Sequence, residues 1–182
     1  METMDAILGR RAIREYENKH VPEELINSIL KAGAMAPSAM DTRPCRFIVI
    51  TNQDAIRKLS DRVKERTSLI TGMSERTAKR LQSKEDTIFY GAPLLILVAA
   101  EKTKWSPIDC ALAAQNMMLR AYDLGLGSCF IGFADVLKDD RETLRNLGVG
   151  DSQELYCPLI FGYPKNRPEP KDKEAVVEKR IR

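Results

Sequence analysis

Residues 92–100 read APLLILVAA and form the longest apolar run of the chain. Such a run suits one buried strand and falls well short of the roughly 18 residues that a membrane-spanning helix needs. Because successive side chains of a strand point to opposite faces, an apolar residue at nearly every position predicts that both faces are covered. No transmembrane segment is expected.

Periodic patterns on either side of this strand predict the other elements. Alanines between residues 109 and 124 favour a helix that packs closely, including against a second copy of the chain. Apolar spacings of three and four predict this helix and others over residues 4–8, 21–34, 54–66, 75–84 and 142–147. Short strands are expected over residues 47–50, 128–133 and 155–163.

The composition is that of one ordinary globular domain, with 182 residues, 43% hydrophobic and 30% charged. The net charge of +3 lies in residues 165–182, which hold seven Lys or Arg against four Asp or Glu. Because the rest of the chain is balanced, a nucleic-acid partner is not expected. The amino terminus shows no secretory signal, so a cytoplasmic location is expected, with no membrane partner.

The cysteines and the histidine suggest little chemistry of their own. Cys45, Cys110, Cys129 and Cys157 form no CxxC pair, so neither a metal site nor a disulfide framework is predicted, and they are expected to be small buried residues. The single histidine, His20, precedes a predicted helix start and suits a capping or surface role. Catalysis by Ser-His-Asp or Cys-His groups is therefore not indicated.

A cluster of arginines follows the first predicted helix. Arg10, Arg11 and Arg14 place three guanidinium groups within five residues. Because guanidinium is planar, permanently charged and bidentate toward phosphate oxygens, this cluster suits a bound phosphate, although a solvated charge run has the same appearance. The GxxxxGK[ST], GxGxxG and HExxH motifs are all absent. An arginine cluster with few acid-base residues is typical of an enzyme whose cofactor carries the chemistry.

Five blocks in order along the chain resemble the FMN-dependent nitroreductase family. None is specific alone, but their order and spacing are those of the family, and the resemblance covers essentially the whole chain. The blocks are Arg10-Arg11-Ala12-Ile13-Arg14, residues 36–44 (APSAMDTRP), residues 89–93 (FYGAP), residues 109–116 (DCALAAQN) and residues 125–132 (GLGSCFIG).

The resemblance implies an α+β fold: a sandwich with a mixed, mostly antiparallel sheet surrounded by helices, in an intertwined homodimer. FMN would lie at each of two interface sites. Residues 1–164 would form the FMN-binding domain, and residues 165–182 a carboxy-terminal arm that docks on the partner subunit. Val176 and Val177 could add a strand to the partner's sheet.

The resemblance also implies a set of cofactor-binding residues. The arginines would bind the phosphate and ribityl oxygens together with two lysines of the arm, and Ala12 would contribute only backbone. Since the family commonly has a serine at position 12, its absence should cost about one hydrogen bond, on the order of 1 kcal/mol. The set is Arg10, Arg11, Ala12, Arg14, Pro37, Ser38, Ala39, Met40, Asp41, Arg43, Ile131, Gly132, Lys171 and Lys173.

The segment Asp41-Thr42-Arg43-Pro44-Cys45 departs from the family pattern, which is usually Asn-x-Gln-Pro-Trp. An ionised Asp41 can only accept hydrogen bonds, whereas an amide also donates. Arg43 could supply the missing donors and raise the flavin's redox potential. Equally, Asp41 and Arg43 could form a structural pair that leaves the ring alone.

The function implied by the resemblance is FMN-dependent oxidoreduction with NADH or NADPH as the reductant. A ping-pong hydride mechanism would reduce nitroaromatics, quinones or related small acceptors. No catalytic side chain is expected, and Leu69, Ile70 and Met73 are expected to line the acceptor pocket. The alternatives are non-reductase use of FMN (dehalogenation, flavin fragmentation or storage), a nucleic-acid-binding dimer and a thiol redox protein.

Overall fold

The sheet at the centre of the fold has four antiparallel strands in the order β1-β2-β4-β3. The structure is a computed structural model that describes residues 2–171 and 173–181. Among the described residues, one isolated parallel β-bridge lies outside the paired strands, and it joins Ala12 to Ser128. The strands are β1 (Arg46–Ile50), β2 (Leu94–Glu101), β3 (Gly127–Phe130) and β4 (Gln153–Gly162).

The apolar run lies in β2, and both of its faces are buried as predicted. Leu95, Leu97 and Ala99 pack into one apolar cluster, and the alternate residues Ile96 and Val98 pack into another on the opposite face. Each of these five side chains is 0% exposed. The period of two along a strand thus divides one apolar segment between two cores.

Helices cover both faces of the sheet, so the predicted α+β sandwich is confirmed. Ile26 of α2 and Met117 of α5 bury their side chains in the cluster on one face. Val63 of α3 does so on the other. None of these helices is both long and apolar enough to cross a bilayer, over the part of the chain described. The helices are α1 (Thr3–Gly9), α2 (Glu23–Ala34), α3 (Gln53–Ser68), α4 (Glu75–Leu81), α5 (Ser106–Asp123) and α6 (Arg141–Asn146).

The strand predicted over residues 128–133 is too long. Pairing with β4 ends at Phe130, and a 3-10 helix follows over Gly132–Asp139. The N–H of Ile131 still donates to the Pro158 carbonyl at 2.9 Å, and the Ile131 carbonyl then accepts from Ala134 at 3.0 Å. The turn out of the sheet brings Gly132 to the protein surface at the end of β3.

The segment that carries the arginine cluster lies against β3. The N–H of Ile13 donates to the Ser128 carbonyl at 3.0 Å, and the Tyr16 hydroxyl donates to the Ile13 carbonyl at 2.8 Å. A Cβ on Gly127 would come within 2.6 Å of the Ile13 side chain, so glycine permits this close approach. The buried Ile13 therefore fixes the backbone between Arg11 and Arg14.

The start of the carboxy-terminal segment forms hydrogen bonds with its own chain. The Lys165 N–H donates to the Glu15 carbonyl at 3.1 Å, and the Arg167 guanidinium donates to the Gly125 carbonyl at 2.6 Å. The described residues after 165 form no strand or helix, and Val176 is 92% exposed. The arm over residues 165–182 stays a prediction, with positions 172 and 182 outside the described residues.

Asp140 joins α3 to α6. Its carboxylate is 2.5 Å from Arg62 Nε and accepts from the N–H and hydroxyl of Thr143 at 3.3 and 2.9 Å, which caps α6. The Arg62 guanidinium, assisted by the Thr143 hydrogen bonds, holds the pKa of Asp140 at about 2. Because this pKa lies below the usual value of about 3.9, the ionised carboxylate stabilises the folded state.

We expect Asp140→Asn to lower the free energy of unfolding by about 1 to 2 kcal/mol near neutral pH, with Arg62 partly exposed to solvent. The full decrease in the free energy of unfolding is expected above about pH 5. The decrease should shrink as the pH falls from about 4 toward 2, where the wild-type carboxylate is itself protonated. Urea unfolding of both proteins across this range measures the difference. The exposed neighbour change Asp139→Asn is the control, and a pH-independent difference would contradict the assignment.

Candidate functional site

A cleft of about 570 Å³ opens beside the end of β3. Three arginines and three aromatic side chains line it, and no carboxylate does. We name it the arginine cleft, and its lining residues are Arg14, Arg76, Arg80, Tyr90, Phe130, Ile131, Gly132 and Phe133. The structure therefore brings together Arg14, Ile131 and Gly132, which were predicted to share a site.

Arg80 makes several contacts in the wall of this cleft. Its guanidinium lies 4.7 Å from the Phe133 ring centre and 5.2 Å from that of Tyr90. It also donates to the Thr87 carbonyl at 3.0 Å and to the Tyr90 hydroxyl. Tyr90 itself has a positive φ of 58°, an uncommon conformation for a residue with a side chain. These contacts tie α4 to the segment before β2.

Arg10 and Arg14 extend the positive charge of the cleft toward the amino terminus. The guanidinium of Arg14 lies 5.9 Å from the Tyr90 ring centre. Burial raises the pKa of the Cys129 thiol, whereas the charges of Arg14, Arg10 and Arg80 act in the opposite direction. Three guanidinium groups, two from the amino-terminal segment and one from α4, thus lie near one end of β3, which favours an anion there.

The Arg11 side chain does not line the arginine cleft and contacts backbone carbonyls instead. Its guanidinium donates to the Glu169 carbonyl at 3.3 Å and to the Arg10 carbonyl at 2.6 Å. The contact holds the start of the carboxy-terminal segment beside the arginine cluster, two residues before Lys171. Lys171 and Lys173 are exposed.

The backbone at the end of β3 has one engaged N–H group at Ile131 and one without a helical partner at Gly132. The Ile131 N–H is engaged by the Pro158 carbonyl, so it is not available to a ligand. Gly132 begins the 3-10 helix, where N–H groups lack partners within the helix. It is exposed, and a Cβ there would meet nothing within 4 Å. Of the two predicted positions, Gly132 is the one that can donate.

The second group of predicted residues forms the loop 37–43. Its N-terminal half is fixed by Asp109 of α5, whose buried carboxylate accepts from the Ala39 N–H at 3.1 Å. The Ser38 hydroxyl accepts from the Arg43 N–H at 2.9 Å. Met40 and Arg43 have positive φ values of 53° and 49°. Strained backbone of this kind is concentrated at functional sites.

Asp41 and Arg43 bind each other. Arg43 Nε lies 3.0 Å from one carboxylate oxygen, and its terminal nitrogen lies 2.5 Å from the other. The hydrogen bond from Arg43 lowers the pKa of Asp41, so the carboxylate is ionised near neutral pH. Both side chains are exposed. The structural pairing foreseen as one alternative is thus present in the isolated chain.

The loop 37–43 and the arginine cleft are separate in one chain. No described residue lines both the cleft and the hollow beside the loop. That hollow has a volume of about 470 Å³ and an apolar wall made by α5 and the residue that precedes it. We name this wall the α5 patch: Trp105, Ile108 and Leu112, with exposures of 44%, 53% and 41%. The predicted cofactor residues therefore fall into two groups on two surfaces.

The residues proposed for the acceptor pocket lie at the turn between α3 and α4. Leu69 and Ile70 are 77% and 51% exposed, and Met73 is half-buried. None of them lines the arginine cleft in the described chain. They precede Arg76 of α4, which does, so their role stays a prediction.

Several site residues escaped the sequence reasoning. Arg76 and Arg80 lie on a helix that reads only as very polar, although their spacing of four places them on one face. Asp109 has the appearance of an ordinary carboxylate in the first turn of a helix. Tyr90 belongs to the FYGAP block over residues 89–93, but nothing in its residue type indicates a positive φ.

The cysteines are all free thiols, three buried and Cys45 half-buried. The sulfurs of Cys45 and Cys110 lie 3.7 Å apart behind the loop 37–43. The hydrogen bond between these two thiols lowers the pKa of Cys45. Among the described residues, no group of three His, Cys, Asp or Glu side chains could hold a metal ion.

Comparison with known proteins gives a consistent result. Residues 7–163 match the model of the nitroreductase family. A Methanothermobacter thermautotrophicus protein provisionally named NADH dehydrogenase/NAD(P)H nitroreductase is 31% identical over 179 residues, covering 94% of this chain and 82% of the relative. The 4-nitrobenzoate reductase of Pseudomonas putida is 26% identical over 200 residues, which cover 89% of this chain and 86% of that enzyme. The FMN-bound nitroreductase structure from Bacteroides fragilis has 31% sequence identity and a TM-score of 0.86. The match covers 100% of this chain and 98% of the Bacteroides fragilis chain.

Proposed function

Since this chain belongs to the nitroreductase family, we propose that it is an FMN-dependent oxidoreductase. It takes reducing equivalents from NADH or NADPH and passes them to a small electron-poor acceptor. The observation that carries the proposal is the arginine cleft, where guanidinium groups and aromatic rings share one wall without a carboxylate. The similarity to an FMN-bound nitroreductase from Bacteroides fragilis, at 31% identity, supports the choice of cofactor.

The residues of the cleft fit a flavin mononucleotide. A phosphate dianion needs several fixed cationic donors, and Arg10 and Arg14 offer guanidinium groups that form no ion pair with a described carboxylate. A planar aromatic ring needs an apolar surface, which Phe130 and Phe133 supply. In this proposal Arg10 and Arg14 bind the phosphate, and Lys171 and Lys173 approach it from the arm.

When bound, FMN would supply two-electron chemistry, the transfer of a hydride from a nicotinamide to the acceptor. The residues of this chain bind and orient the reactants. Gly132 offers an N–H without a side chain that would block access, and Arg80 fixes the wall through its contacts with Tyr90 and Phe133. The cleft therefore contributes positioning and electrostatics, and solvent supplies the protons.

The complete site requires two chains. Because the loop 37–43 and the arginine cleft lie on different surfaces, the loop of one subunit would close the cleft of the other in a homodimer. The exposed α5 patch beside the loop supplies an apolar surface for the interface. In the described chain β1 pairs only with β2, so its outer edge is open to an added strand, such as Val176 and Val177 of the partner's arm.

Nitroaromatic compounds, quinones and related small molecules are the proposed acceptors. The 26% identity with a 4-nitrobenzoate reductase supports the nitroaromatic class. Since reductant and acceptor would use the same cleft in turn, we propose a ping-pong order. Leu69, Ile70 and Met73 remain the proposed wall for the acceptor, at the turn that precedes α4.

Two-substrate steady-state kinetics test this function. The FMN-loaded protein is assayed with NADH or NADPH at several concentrations of a nitroaromatic or a quinone. Parallel double-reciprocal lines are expected, because the reductant leaves before the acceptor enters. Intersecting lines would exclude the ping-pong order, and an FMN-loaded protein that oxidises neither nicotinamide would exclude the proposed activity.

A further inference from the structure

Three arginines line the cleft, and Arg14 and Arg80 both contact the Tyr90 ring. Arg76 is the third. It lies on α4 four residues before Arg80, so both side chains project from one face of the helix. Arg80 is engaged by Thr87, Tyr90 and Phe133. Arg76 is exposed and makes no hydrogen bond or ion pair with the described residues. A free guanidinium thus stands at the rim of the cleft.

The surroundings of Arg76 favour an anion. The cleft holds two further arginines, and its lining includes no carboxylate to neutralise them. The proposed phosphate ligands Arg10 and Arg14 come from the amino-terminal segment beside β3, whereas Arg76 comes from the separate helix α4. A single phosphate group held by the first pair leaves the charge of Arg76 uncompensated. Uncompensated charges of one sign in a cleft attract ligands of the opposite sign.

We infer that Arg76 is a specificity-determining residue that binds an anionic group on one of the two substrates that use the cleft. The inference rests on the proposed function, because it takes the cleft to hold FMN. The anionic group could belong to the reductant, as the 2′-phosphate of NADPH, or to the acceptor, as a carboxylate on a nitroaromatic ring. Both are oxyanions that a guanidinium binds through paired hydrogen bonds.

The test compares Arg76→Gln with wild type on two matched pairs of substrates. NADPH and NADH differ by the 2′-phosphate, and 4-nitrobenzoate and 4-nitrobenzamide differ by the carboxylate charge. For one pair, the ratio of kcat/KM for the member that carries the extra anionic group to that for the member that lacks it should fall about tenfold in the variant. The pair that responds identifies the source of the anion. Arg76→Lys should restore part of the ratio, since it restores the charge but not the paired donors.

Lys79→Gln is the matched control. It removes one positive charge from the same helix at an exposed residue outside the cleft lining, so it reports general electrostatic attraction alone. The ratio should change less than about twofold in this variant. An equal change in both variants, or an unchanged ratio in Arg76→Gln for both substrate pairs, would overturn the inference.

FMN content separates this inference from competing explanations. Arg76→Gln should retain FMN at the wild-type ratio, because another pair of arginines binds the phosphate. Loss of FMN from this variant would overturn the inference and assign Arg76 to the cofactor's phosphate. A wild-type protein that binds no FMN would instead refute the proposed function itself, and the two failures are therefore distinguishable.

Discussion

Replacing Arg10 and Arg14 together with alanine is expected to weaken FMN binding by about 100-fold or more. A charge-assisted hydrogen bond contributes about 1.5 to 3 kcal/mol, so the loss of two should exceed about 3 kcal/mol. Neither side chain is buried or ion-paired to a described carboxylate, so the free energy of unfolding should change by less than about 0.5 kcal/mol. Fluorescence titration with FMN and urea unfolding measure the two quantities.

A matched double variant, Arg57→Ala with Arg145→Ala, removes the same charge from α3 and α6, away from the cleft. Its FMN affinity should stay within about twofold of wild type if binding depends on local contacts. Equal losses in both double variants would show that net charge alone attracts the flavin. Full FMN retention by Arg10→Ala with Arg14→Ala would remove these residues from the phosphate site.

Introducing Ile108→Glu and Leu112→Glu into the α5 patch should convert the proposed dimer into a monomer and abolish FMN retention. Each residue would otherwise bury about 1.5 to 3 kcal/mol of apolar surface in the interface, and a buried unpaired carboxylate costs more still. The combined effect should raise the dimer dissociation constant by about 1,000-fold or more. Light scattering during size-exclusion chromatography gives the mass, and visible absorbance gives the FMN content.

Asn146→Glu with Ser152→Glu adds the same charge to exposed positions away from α5 and serves as the control. It should remain a dimer with bound FMN. A monomeric Ile108→Glu, Leu112→Glu variant that keeps its full FMN content would show that one chain is sufficient, against the proposed assembly of the site. A variant that stays dimeric would show that the α5 patch lies outside the interface.

The core elements follow closely from the sequence because their patterns depend on local rules. The run of residues 92–100 predicts a strand buried on both faces, and β2 has those properties. The helix over residues 109–124 is α5 with a boundary shifted by three residues at its start, where Ser106 and Pro107 already form the first turn. Burial and periodicity decide such elements with little help from distant residues.

The site depends on contacts between distant residues, which no periodicity reports. Asp109 holds the loop 37–43 from 70 positions away, and Arg80 stacks on Phe133 from another element. The two hydrogen bonds that Arg43 donates to Asp41 were one of two alternatives that the same residue types allowed. The strand predicted to reach residue 133 ends early because a 3-10 turn, stabilised by the Ile131 carbonyl, interrupts the pairing. Residue type alone could not decide these cases.

Titration of the flavin-free protein with FMN, with the mass measured at each step, shows whether the arginine cleft binds this cofactor in a dimer. The proposed site predicts saturation at close to one FMN per chain, in a dimer, and bleaching of the visible flavin absorbance when NADH or NADPH is added without oxygen. A protein that stays colourless and takes up no added FMN would contradict the assignment of the arginine cleft to this cofactor.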